Sequence, residues 1–180
     1  MIENFWLNKK IFFLFQTVVE KVDTDWFFVF LADYLLYFIY ILFIFYFYKR
    51  IWEDKKIQFQ EFLVYFSATF VAWFFTKIFK LLFHTERPFS FFPIETLEKH
   101  TDVFQSFPSG HATLAFAMAF SVYFYNKKIG FWLIFSALLV AMGRVFIGVH
   151  FPLDVLVGGL WGFLSVFFVN RMLEKKAYKN

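Results

Sequence analysis

The sequence predicts an all-α protein, a polytopic transmembrane helix bundle, on three observations. Hydrophobic residues make up 61% of the 180-residue chain and aromatic residues 27%, with 34 phenylalanines. That is more apolar surface than a soluble domain of this size can hide. These residues gather into runs of about 20, the length of helix that crosses a bilayer core. Lysine and arginine cluster in every second connection between the runs, the asymmetry that orients membrane helices. Mean hydropathy is +0.59.

Residues 1–25 hold an apolar run at 11–19, between Lys9-Lys10 and a charged group of Glu20, Lys21, Asp23 and Asp25. The run is too short to span, so it reads as an interfacial helix lying along the membrane surface. No small-residue cleavage site follows it, so it is not a leader peptide. The first span covers 26–48 and carries one acidic residue, Asp33; Lys49-Arg50 closes it. The second covers 59–83, with Lys77 and Lys80 near its far end. After a polar connection at 84–107, the third span runs over 109–125 and turns at Asn126-Lys127-Lys128. The fourth covers 129–147, with Arg144 near its end. Pro152 opens the fifth, which runs to 170 before a basic tail. The expectation is a single integral-membrane domain over 1–180: an interfacial helix at 1–25, a five-span bundle at 26–170 and a cytoplasmic tail at 171–180. Six spans, with 11–19 as a very short extra one, is the alternative.

The basic connections at 49–56 and 127–128 and the basic tail share one side, which the positive-inside rule makes cytoplasmic. The 84–107 and 148–151 connections then face outward. All seven glycines lie at or after position 110. Gly158 and Gly162 form a small-xxx-small face, so the last three spans are expected to be the tight core, with the first two around them. Cysteine is absent, which excludes disulfides and thiolate chemistry, and four scattered histidines do not make a zinc site.

Three polar clusters lie at the outward ends of the spans: Lys80, six residues, then Arg87-Pro88; Pro108-Ser109-Gly110-His111; and Arg144, five residues, His150, three residues, Asp154. Ionisable groups in membrane segments are functional candidates. Lys80, Arg87 and Arg144 offer fixed positive charge for a phosphate, and arginine's planar fork suits its oxygens. Ser109 can cap the third span, and its hydroxyl with the N–H groups at Gly110 and His111 adds donors at a helix N-terminus. Two histidines allow one to attack phosphorus while the other protonates the leaving oxygen. Asp154 is spaced to hold His150. No carboxylate cluster remains for magnesium, so metal-free phosphoryl transfer with no cofactor is expected.

These spacings resemble the three motifs of the type 2 phosphatidic acid phosphatase superfamily, over residues 26–170. The resemblance implies that His150 is the nucleophile, Asp154 its partner and His111 the general acid. It implies that Lys80, Arg87, Ser109, Gly110 and Arg144 bind phosphate, in a site facing away from the cytoplasm. The family usually has serine before the third-motif arginine, where this chain has Gly143; Gly143→Ser is therefore expected to be neutral or mildly favourable for activity. The small size, short loops and Leu-Ala-Asp-Tyr-Leu at 31–35 resemble the bacterial undecaprenyl pyrophosphate phosphatase branch. That branch removes one phosphate from a polyprenyl carrier lipid of cell-wall synthesis at the cytoplasmic (inner) membrane. Phosphatidylglycerophosphate and phosphatidate phosphatases, or a phosphotransferase using the same site, are the alternatives. The expected partners are a lipid phosphate or diphosphate and the membrane, with no nucleic acid and no obligate protein partner.

Asp33 and Lys77 lie outside these motifs, at matching depth in the first two spans. A lone charge there costs about 2.5–3.5 kcal/mol, so the two are expected to pair. The alternative has Lys77 snorkelling and Asp33 reaching the site near Lys80.

Overall fold

The protein, seen here in a computed structural model, is described over residues 6–22, 24–53, 55–94, 96–98 and 102–177. Its helices are α1 (Trp6–Lys21), α2 (Asp25–Val29), a π-helical segment (Phe30–Tyr34), α3 (Leu35–Glu53), α4 (Lys55–Phe83), the single turn α5 (Pro88–Phe91), α6 (Gly110–Tyr125), α7 (Lys127–Phe146) and α8 (Pro152–Ala177). Among the described residues the only β pairing is an isolated bridge between Glu86 and Phe104. Four stretches are long and apolar enough to cross a membrane: Asp25–Arg50, Glu61–Phe83, Lys127–Phe146 and Pro152–Leu173. Their outer faces carry large apolar side chains such as Phe45, Phe70, Trp132 and Leu156, as suits contact with lipid tails.

Helix α6 differs from these four. It has 16 residues, about 24 Å of helix at 1.5 Å per residue, against a bilayer core of about 30 Å. It is also the hub of the bundle, packing on α4, α7 and α8. Alanines 112, 115, 117 and 119 are fully buried on it, and such small side chains let its neighbours come close. The glycine face of α8 answers them. A Cβ at Gly162 would stand 2.6 Å from the Thr113 carbonyl oxygen, and one at Gly158 would stand 2.6 Å from that of Ser109. The close approach of α6 and α8 is as the glycine spacing predicts, while α4, expected outside the core, packs on both of them.

Helix α1 packs against the C-terminal end of α7 and the N-terminal end of α8. Asn8, Phe12 and Gln16, four residues apart, form its buried face. Asn8 Oδ1 accepts from Leu153 N (3.0 Å), satisfying one of the orphan N–H groups that open α8. Gln16 Nε2 donates to the carbonyls of Val145 and Phe146 at 2.9 and 3.3 Å, where α7 ends. The Phe12 ring packs on Phe151 with centroids 5.4 Å apart.

The first two long helices are joined at the end opposite to the polar clusters. Arg50 Nη2 donates to Glu61 Oε1 at 2.6 Å and its Nε to Glu61 Oε2 at 3.1 Å, a bidentate pair with Glu61 buried. At the other end the π segment opens the helical register just before α3. It presses so close to α7 that a Cβ at Gly143 would stand 2.6 Å from Ala32 N and 2.8 Å from Ala32 Cα. Those are backbone atoms, which cannot swing away as a side-chain tip would.

Gly143→Ser, expected to be neutral or mildly favourable for activity, therefore carries a cost in stability. The serine Cβ has to push the π segment off α7, and overpacking of this kind costs about 1–3 kcal/mol. Thermal unfolding in detergent should show a lower midpoint for Gly143→Ser. Gly110→Ala, whose Cβ would meet nothing nearer than Lys80 Cε at 4.0 Å, should unfold like the parent. Equal midpoints for all three proteins would contradict the close approach.

Candidate active site

The outer end of α4 presents Lys80. The chain beyond it runs back along residues 103–107. Arg87 N donates to Val103 O (3.0 Å), Ser106 N to Thr85 O (2.9 Å) and Phe107 N to Thr85 Oγ1 (2.8 Å). This clasp holds the first cluster against the second. Pro88 at the first position of α5 keeps the preceding residue extended, and Arg87 sits at φ −87°, ψ 158°. Its side chain then crosses under the loop. Nε donates to Asp102 O (2.8 Å) and Nη1 to Val149 O (3.0 Å), with Nη1 3.3 Å from His150 Nε2. Lys80 Nζ donates to Gln105 O at 2.7 Å. Gln105 has φ +78°, a left-handed conformation disfavoured for a non-glycine residue, between the clasped residues Val103 and Ser106. Both cations are buried. Burial, then the charge of Arg144, pushes the Arg87 guanidinium down to about 10, which leaves it charged at neutral pH.

Gly148, at φ +79°, turns the chain out of α7 and sets His150 in the floor of the site, 1% exposed. Arg87 Nη1 faces Nε2, so that nitrogen carries the lone pair and the proton belongs on Nδ1. Nδ1 lies 3.5 Å from both Asp154 Oδ2 and Ser106 Oγ. Asp154 is the third residue of α8. Its Oδ2 accepts from Phe151 N at 2.9 Å, half of a capping box, and from Ser106 Oγ at 2.6 Å. One carboxylate thus caps the helix and backs the histidine. Complete burial, reinforced by Arg87, Arg144 and Lys80, holds the His150 imidazole well below its usual pKa, in the neutral form.

Arg144, near the end of α7, is 1% exposed. Its Nη1 pairs with Asp33 Oδ1 and its Nη2 with Glu98 Oε2 at 2.6 Å, while Nε has no partner among the described residues. Asp33 therefore does not pair with Lys77. The π segment aims it across to α7, where Oδ1 also lies 3.5 Å from His111 Nε2. Of the two sequence expectations for Asp33, reaching the site is the one that matches, with Arg144 as its partner.

Ser109 is the N-cap residue of α6, but its hydroxyl makes no capping bond; it is fully buried and without a partner among the described residues. Its backbone N–H donates to Asp154 O at 3.0 Å, which ties the second cluster to the third. Lys80, Arg87, Gly110, His111, Arg144 and His150 all line one cavity of about 370 Å³, with Asp154 directly behind His150. The three sequence clusters thus meet at one place. Sequence reasoning missed Ser106, on which Asp154 leans, and Glu98, the second carboxylate on Arg144. The first had a signal in its position two residues before Pro108; the second had none. Lys77 lines the same cavity, one turn of α4 away from Lys80. A second, apolar hollow of about 470 Å³ runs between α3, α4 and α6 and shares Tyr40, Trp73 and Leu114 with the first.

Known proteins resemble this chain in sequence and in fold. The chain is 34% identical over 141 residues to the bacitracin transport permease protein BcrC of Bacillus licheniformis, covering 78% of this chain and 67% of that one. It is 34% identical over 107 residues to the undecaprenyl-diphosphatase BcrC of Bacillus subtilis, covering 59% and 55% respectively. The chain thus spans between half and two thirds of the length of these curated relatives. The crystal structure of Aquifex aeolicus LpxE superposes with a TM-score of 0.74 at 29% identity, covering 95% of this chain and 99% of that one. Residues 61–178, which hold all three clusters, match the sequence profile of the PAP2 superfamily, and the chain belongs to that superfamily.

Proposed function

We propose that this protein is a membrane lipid phosphatase that removes the terminal phosphate of a polyprenyl diphosphate through a phosphohistidine. The observation that carries the reading is His150: its Nε2 faces a pocket lined by Lys80, Arg87 and Arg144, while Asp154 stands behind Nδ1. A neutral imidazole with its lone pair on Nε2 is a nucleophile once a phosphate oxygen takes the Arg87 Nη1 donor that faces it, and the cations favour charge on the phosphoryl oxygens in the transition state. Nε2 bonds to phosphorus as the bond from phosphorus to the bridging oxygen breaks. His111 gives that oxygen its proton, and Asp154 stabilises the positive charge passed to His150. His111, now neutral, takes a proton from water; the water oxygen displaces Nε2 from phosphorus, and phosphate leaves.

Lipid selectivity follows from the two hollows. The polar cavity gives way to the apolar one at Tyr40 and Trp73, so a head group over His150 can lead into a tail lying between α3 and α4. Lys77 stands on the cavity wall one turn from Lys80. There it meets the inner phosphate of a diphosphate, which a monoester lacks. The full reading is five spans in the bacterial cytoplasmic membrane with the pocket facing outward.

The direct test is phosphate release from polyprenyl diphosphate, phosphatidate, phosphatidylglycerophosphate and an aryl phosphate in detergent, with EDTA present. Release is expected with EDTA, fastest from the diphosphate. Activity lost to EDTA and restored by magnesium would sink the metal-free reaction.

His150→Ala should abolish turnover on every substrate. His111→Ala should slow the lipid reaction by about 10²–10⁴, the usual weight of a general acid, and the aryl phosphate less, because its leaving oxygen needs no proton. Equal losses on both would remove His111 from the acid role. Lys77→Gln should lower kcat/KM for the diphosphate by about tenfold, the scale of one exposed charged contact, and leave phosphatidate turnover unchanged. A parallel fall in both would make Lys77 a general anchor.

A further inference from the structure

His111 sits among cations. Lys80 and Lys77 face the same cavity from α4, Arg87 from the clasped loop and Arg144 from α7, with the neutral His150 in the turn before α8. Each positive group opposes the imidazolium that a general acid must be before it donates. Two carboxylates approach from the other side, Asp33 and Glu98, and both are on Arg144. Of the two, Asp33 also stands beside His111, 3.5 Å from Nε2.

Its placement is built in three independent ways. A π segment at Phe30–Tyr34 interrupts the α-helical register and turns Asp33 toward α7; such one-turn irregularities concentrate at functional sites. Gly143, which has no Cβ to strike Ala32, admits that segment. One oxygen, Oδ1, then serves both Arg144 Nη1 and His111 Nε2.

We infer that Asp33 is a positioning residue for His111, a fixed negative charge that keeps the imidazole protonated and aligned once the substrate phosphate has engaged Arg144. This rests on the lipid-phosphatase reading above. An arginine fork accepts phosphate oxygens in the same plane as a carboxylate. As phosphate takes Arg144, it draws that guanidinium away from Asp33, and the carboxylate is left with His111 as its cationic neighbour. The 3.5 Å spacing is longer than a good N–H···O bond, so the effect is one of charge. A tight bond would compete with the leaving oxygen for the same proton. Asp33 neither gains nor loses a proton in turnover; the proton passes from His111 Nε2 to the leaving oxygen and returns from water.

The test compares wild type, Asp33→Asn and Asp33→Glu, all in detergent, with polyprenyl diphosphate and an aryl phosphate across pH. Asp33→Asn should lower kcat for the lipid by about tenfold or more, within the weight of a general acid. It should also move the alkaline limb of the lipid kcat profile to lower pH by about one unit, the usual effect of a lost opposite charge at this range. The aryl phosphate rate should fall much less, and Asp33→Glu should restore the limb. An unmoved limb, or equal losses on both substrates, overturns the inference and makes Asp33 a strut for Arg144. Should the asparagine variant not fold, Asp33→Glu decides: a limb at the wild-type pH supports the role, and a lowered limb with the charge retained overturns it. An inactive wild-type protein would instead be a failure of the phosphatase reading, so the two failures are distinct.

Discussion

Three buried positive side chains, Lys80, Arg87 and Arg144, line one small cavity, and the surrounding architecture is shaped by the need to make that tolerable. Like charges in a medium of low dielectric repel strongly, and each also loses its water. Lys80 and Arg87 are compensated by carbonyl dipoles from Gln105, Asp102 and Val149, so the loops that carry those carbonyls must be held in register. The clasp between 85–87 and 103–107 does so. Arg144 lies deepest and needs full charges, Asp33 and Glu98, brought from two other parts of the chain. Remove the cations and neither the folded-back loop nor the π segment has a reason to be where it is.

The same compensation prepares the pocket for an anion. Carbonyl oxygens neutralise a cation's surroundings while the cation keeps its charge. Arg144 keeps one buried donor, Nε, unpaired among the described residues, and Ser109 keeps its hydroxyl likewise. On the proposed reading, a phosphate in this pocket would meet the Arg144 donor already oriented, the condition under which electrostatics lowers a barrier.

The helical plan was legible in the sequence because it rests on local quantities. Run length marked the spans, proline and glycine marked the start of α8 and its face, and the spacings inside each cluster marked the chemistry. What stayed hidden depends on pairs remote in sequence. Matching depth suggested Asp33 with Lys77, but a π segment of five residues turns Asp33 around its helix, and no hydrophobic pattern announces such an insertion. Gly143 looked like a missing hydroxyl. Its meaning lies in Ala32, 111 positions upstream, and only the packed bundle shows that a Cβ does not fit. Ser106 and Glu98 came from a connection read as polar filler. The boundaries of α4 and α8 moved outward, because basic residues extend a helix past its apolar run when its end meets water.

Helix α1 carries a consequence for assembly. Asn8 and Gln16 bind backbone groups of Leu153, Val145 and Phe146, sequence separations of 129–145 residues. Chain closure over such distances is entropically slow to find. During synthesis α1 emerges well before its docking surface exists, since that surface is made of the last two helix ends. It can therefore make these contacts only once α7 and α8 are in place. The turn that α1 covers is the one that holds His150, so the earliest helix of the bundle completes its contacts last, at the moment the nucleophile's own support is finished.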